Sequence, residues 1–178
     1  MTGITIYESA APLVDELEDD GSGDRSWWWT DHDLAGDGLE VPIEKSAEAI
    51  AAEADRLRRG AILPWGRVRA NRARPWAQFV AVDPPGYVAV ELSAVRDDGQ
   101  TWALQVRRAA AADGAVERIT LPAGARRTYA HPATAGIVPV AGSARLTVAE
   151  AAAVAAAHLL GEPLAAAWRA VEIPWRVR

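Results

Sequence analysis

The chain has 178 residues, half of them apolar and 24% charged, with 24 acids, 19 bases and no cysteine. That length suits one domain, spanning residues 1–178, able to bury roughly two thirds of its unfolded surface. The lack of cysteine excludes disulfides, thiolate catalysis and cysteine-ligated zinc. Residues 1–8 lack the basic start and apolar core of a signal peptide, and the longest apolar stretch, 148–160, is too short to span a bilayer. A cytoplasmic protein with no membrane partner is expected.

Charge is distributed unevenly. Residues 1–40 hold 11 acids and one base, Arg25, for a net of −10, whereas residues 41–178 hold 13 acids and 18 bases, for a net of +5. Within the acidic segment lies the triplet Trp27-Trp28-Trp29, flanked by Asp24, Asp31 and Asp33. Like charges repel and exposed indoles are costly in water, so the segment is best explained as a surface that meets a basic partner. In extended chain the three indoles cannot share a face, and one or two could instead anchor the segment to the core.

A short strand is expected at 4–7, a flexible stretch at 19–24 and a loop at 31–38. Ala47, Ile50, Ala54 and Leu57 recur at helical spacing, which predicts a helix over 46–59, capped by Ser46 and stopped at Gly60. Strands follow at 66–70, 76–82, 87–95, 101–108 and 116–121, joined by turns such as Asp83-Pro84-Pro85-Gly86. Consecutive hairpins imply an antiparallel meander. Val88 to Leu92 is apolar on nearly both faces, so both faces need a cover. Residues 122–136 read as a long loop. Thr147-Val148-Ala149-Glu150 is a capping box opening a second helix over 147–160, with Leu146 set to staple against Ala151 and Gly161 and Pro163 ending it. A last strand is expected at 168–173. The fold class is α+β: an antiparallel meander sheet packed by two main helices.

Catalytic constellations are not apparent, and no catalytic residue, cofactor or metal is expected. Asp31-His32-Asp33 offers ligand types, but adjacent residues seldom aim at one ion. Gly142-Ser143-Ala144 lacks a nucleophile elbow, and the single lysine, Lys45, follows no glycine-rich loop. His158 reads as a helix-dipole partner or a satisfied core histidine. Two alternatives stay open. Arg127, Tyr129 and His131, beside Arg126, could line the small-molecule pocket of an enzyme or accessory protein of a secondary-metabolite pathway. Arg56, Arg58, Arg59, Arg67, Arg69, Arg72 and Arg74, interleaved with Trp65 and Trp76, could track a phosphate backbone while the indoles stack on bases. Those arginines could equally solvate a helix end and a strand face, some of them paired with the acidic segment. The net charge of −5 favours that reading over nucleic acid.

Leu146 to Glu150, the alanine-rich helix, His158-Leu159-Leu160-Gly161-Glu162-Pro163 and Ala167 to Glu172 together resemble the carboxy-terminal end of Imm1-type immunity proteins of bacterial polymorphic toxin systems. In that family a helix ends in a Gly-x-Pro turn before a tryptophan-bearing strand. The resemblance implies a small α+β protein that binds and silences a cognate toxin, often one acting on nucleic acid. It transfers no functional residue, because Gly161, Pro163 and Trp168 match it structurally. The residues expected to bind the basic partner come from the acidic segment: Glu16, Glu18, Asp19, Asp20, Asp24, Trp28, Asp31 and Asp33.

Overall fold

Alternating apolar residues in four successive runs build a sheet, and the computed structural model describes it through residues 25–28, 39–69, 72–95, 101–120 and 137–172. The strands are β1 (Arg25–Trp28), β2 (Leu39–Pro42), β3 (Ile62–Arg69), β4 (Arg72–Val82), β5 (Tyr87–Val95), β6 (Thr101–Arg108), β7 (Val116–Thr120), β8 (Ile137–Ala141), β9 (Leu146–Thr147) and β10 (Trp168–Glu172). The helices are α1 (Ser46–Ala54) and α2 (Val148–Leu160). Among the described residues, eight strands form one antiparallel sheet in the order β10-β6-β5-β4-β3-β1-β2, with β9 paired to the start of β5. The expected meander is β3 to β6. The fold is α+β, as its patterning predicts.

The outer strands depart from that meander. β7 does not join it; it pairs with β8 as a separate two-stranded sheet. The place beside β6 goes to β10. The reason is burial. Ile62, Val80, Val82 and Ala89 leave one sheet face apolar, and Ile119, Val138, Val140, Ala141 and Ala144 of the β7–β8 unit close over it. On the opposite face, Leu63, Trp65, Phe79, Val90 and Val106 pack beneath Ile50 and Ala54 of α1 and Ala151, Val154, Ala155 and Leu159 of α2. The doubly apolar β5 is thus covered on both sides.

The second helix forms as its sequence dictates. Thr147 caps it, Glu150 completes the capping box, and Gly161 ends it at a φ of 78° that other residues rarely adopt. The first helix is shorter than its periodicity predicts, ending at Ala54. Beyond it the chain is drawn into the sheet: the Gly60 N–H donates to the Ala81 carbonyl and the Ala81 N–H to the Ala61 carbonyl. Tertiary pairing outweighs the local helical pattern there. Nor does Ser46 cap α1. Its hydroxyl donates instead to that of Ser26 in β1 at 2.6 Å, with both side chains buried. No helix among the described residues is long and apolar enough to cross a membrane.

Candidate functional site

Strands β1 and β2 carry the acidic segment into the sheet. β1 lies between β2 and β3, with Trp27 opposite Glu40 and Gly66, and Trp28 opposite Leu39 and Trp65. β2 is the outermost strand on that side. The expected binding residue Trp28 is therefore fixed in register at the sheet margin. Glu16, Glu18, Asp19, Asp20, Asp24, Asp31 and Asp33 lie outside the described residues, as do His32, Arg126, Arg127, Tyr129 and His131. Among the described residues, no group of three or more His, Asp or Glu side chains is placed to hold a metal ion.

Several arginines of the body pair with its own carboxylates. Arg59 bonds Asp83 and, at 2.6 Å, Glu117; Arg145 bonds the other oxygen of Glu117. The bond from Arg59, opposed by desolvation and helped by Arg145, holds the Glu117 carboxyl below its ordinary range. Asp113 meets Arg107 at 2.8 Å and also Arg169, and accepts from the Ser143 hydroxyl at 2.8 Å. That hydroxyl is the first cause of the lowered Asp113 pKa, ahead of the two arginines. Ser143 is thus committed to a structural carboxylate. Arg108 grips Glu150 through two bonds of 2.8 and 2.7 Å, pulling its pKa down to about 2, while Arg56 pairs with Glu53.

His158 is a core histidine, the second of its two expected roles. Its Nε2 lies 3.1 Å from Ser93 Oγ, which also accepts the Trp76 N–H at 3.0 Å. The paired register of β4 and β5 runs to Ala77 and Leu92, so this hydroxyl takes up the next strand N–H beyond it. Burial is the main cause that pushes the His158 pKa down to about 4, against the backbone of Trp76, which raises it. A neutral imidazole offers the helix dipole no cation.

The arginine stripe loses its stacking platforms. Trp65 is fully buried and Trp76 only 5% exposed, so neither indole is presented to a base. The alternation of β3 and β4 spends both on the interior.

A polar row across the inner sheet is less legible in the sequence. Gln78, Glu91 and Gln105 stand opposite one another on β4, β5 and β6, all buried. Gln78 donates to Glu91 at 3.2 Å. Gln105 donates to the Pro139 carbonyl of β8 at 2.8 Å and accepts from Arg107 at 3.2 Å. The row stitches the covering hairpin to the sheet. A polar residue at matching depth in each of three neighbouring, largely apolar strands was the available signal.

The chain matches no known protein family, and comparison with curated proteins and with solved structures found no match either.

Proposed function

We propose that the protein is a non-catalytic, cytoplasmic binding protein, an immunity protein that covers and neutralises a basic toxin acting on nucleic acid. The observation that carries this reading is the attachment of the acidic, tryptophan-bearing segment to the sheet margin through β1 and β2. A charged segment anchored to a rigid sheet presents its carboxylates with less ordering cost than a free tail. Proteins that cleave or modify nucleic acid need cationic clefts, and carboxylates in series imitate the phosphates such clefts attract. Glu16, Glu18, Asp19, Asp20, Asp24, Asp31 and Asp33 supply that imitation, and Trp28 seals the contact. Arg56, Arg59, Arg107, Arg108, Arg145 and Arg169 are each paired with a carboxylate of the body, between Glu53 and Glu150. The resemblance of residues 146–172 to immunity proteins supports the same reading.

The test is co-expression with the carboxy-terminal domain encoded by the adjacent gene. That domain is expected to arrest growth alone and to be silenced by this chain. Asparagine at Asp19, Asp20 and Asp24 should slow association about tenfold at low salt and flatten its dependence on ionic strength. A harmless neighbour, or association indifferent to these three charges, refutes the proposal.

A further inference from the structure

The two central strands part at one end. Among the described residues, β4 pairs with β5 from Val82 and Tyr87 as far as Ala77 and Leu92, where the register ends. Past that point β4 stays with β3, down to Arg72 opposite Arg69, while β5 stays with β6, up to Val95 opposite Thr101. The sheet forks into two arms, with β5, β6 and β10 on one side and β4, β3, β1 and β2 on the other. Where a continued ladder would set a strand carbonyl, the Trp76 N–H donates to the Ser93 hydroxyl at 3.0 Å. His158 of α2 brings its Nε2 to 3.1 Å from the same oxygen. One hydroxyl on β5 thus meets β4 and α2 at the root of the fork, in a place where Ser93 and Trp76 are each only 5% exposed.

A neutral ring suits this arrangement. Ser93 Oγ accepts from Trp76 and has one proton to give, which a neutral Nε2 can take. A protonated imidazole has no lone pair left. The hydroxyl would then have to accept from both neighbours, its own proton would lose that acceptor, and a charge would stand in a largely dry site. Among the described residues of α1, β4 and β5, the elements packed on α2, no charged side chain acts on the ring to offset this: its causes are burial and the Trp76 backbone.

We infer that His158 is a proton-operated clasp on this fork: on taking up a proton the imidazole leaves Ser93, the Trp76 N–H opens to water, and the β3–β4 arm loosens from the β5–β6 arm while the rest of the sheet stays paired. The ring is held at about 4 when clasped and regains its ordinary 6.5 once solvated. A lowered value in the closed state means that opening gains as the pH falls, by about 25-fold between pH 7.5 and pH 5.0. β1 rides on the arm that loosens, since Trp27 and Trp28 pair with Gly66 and Trp65 beside the fork. The clasp needs no partner, so it stands or falls apart from the toxin reading.

Hydrogen exchange of single amides in the intact chain is the test. The protection factor of the Trp76 amide should fall about 25-fold from pH 7.5 to pH 5.0 and should not respond to urea below the unfolding transition. Val80, opposite Ala89 in the paired part of β4 and β5, should instead lose protection steadily with urea, as an amide released only by global unfolding. In His158→Gln the Trp76 protection should be equal at the two pH values. Should that variant fail to fold, the imidazole C–H resonances of His158 in the intact chain mark its titration, and Trp76 protection must stop falling once the pH passes below that midpoint. Protection of Trp76 that is unchanged between pH 7.5 and pH 5.0, or that responds to urea as steeply as that of Val80, overturns the clasp. So does a His158→Gln form in which the fall persists, or a fall in the intact chain that runs on past the histidine midpoint.

Discussion

Arg108 and Glu150 join the end of β6 to the first turn of α2 through two parallel bonds of 2.8 and 2.7 Å, with the Arg108 guanidinium 5.2 Å from the centre of the Trp168 ring. The same carboxylate accepts from the Thr147 N–H and hydroxyl, so one side chain caps a helix and ties it to the sheet. Both partners are about a third or more exposed, which moderates the pair's strength. Glu150→Gln should cost about 1 kcal/mol and Glu150→Ala about 2, since alanine also removes the reciprocal cap. Urea unfolding of both variants, with Arg108→Ala completing a double-mutant cycle, should give a coupling energy of roughly 1 kcal/mol.

Acid should destabilise the fold in two stages. His158 is held at about 4, below its ordinary 6.5, so the unfolded chain takes up the proton first. Its contribution is full above pH 6.5 and is lost as the pH falls towards 4. Glu150 is held at about 2, below 4.5, so its contribution is full above pH 4.5 and is lost towards pH 2. Asp113 and Glu117, also lowered, add to the second stage. Urea midpoints at pH 7.5, 5.0 and 3.0 separate the two. His158→Gln should flatten most of the first interval, and Glu150→Gln should reduce the second. An unchanged first interval in His158→Gln would exclude this histidine as its source.

Gln105 holds the β7–β8 hairpin to the sheet, and Gln105→Leu would leave the Pro139 carbonyl and the Ala141 N–H without that partner. Orphaning buried backbone groups should cost about 2–3 kcal/mol, lowering Tm by roughly 4–10 °C. Hydrogen exchange should quicken in Val138 and Val140 before it quickens in β4 or β5. Uniform acceleration across both sheets would mean that the hairpin and sheet open together.

Legibility in the sequence followed the range of the interactions. α2 was readable because Thr147, Glu150 and Gly161 act within a few residues of one another, and β5 announced two covers because its apolar run leaves neither face to water. The length of α1 was not readable, since it ends at Ala54, ahead of the pairing of Gly60 with Ala81, a contact set by the sheet and not by the helix pattern. The departure of β7 from the meander depends on the apolar face it must cover, which exists only once β3, β4 and β5 have paired. The arginine stripe was visible as composition, but the burial of Trp65 and Trp76 needed the register of β3 against β4.

The attachment of the acidic segment makes its own prediction through Ser26 and Ser46, whose buried hydroxyls lie 2.6 Å apart. Ser46→Ala leaves the Ser26 hydroxyl desolvated without this partner and should cost about 1–2 kcal/mol. Replacing both serines with alanine removes both polar groups together, so the double variant should lose less than Ser46→Ala alone. Hydrogen exchange of β1 amides is the local readout: they should exchange faster in Ser46→Ala than in the double variant. On the proposed binding role of the acidic segment, dissociation rates from a basic partner should follow the same ranking. Additive losses would place the anchorage of β1 in its backbone pairing with β2 and β3 alone.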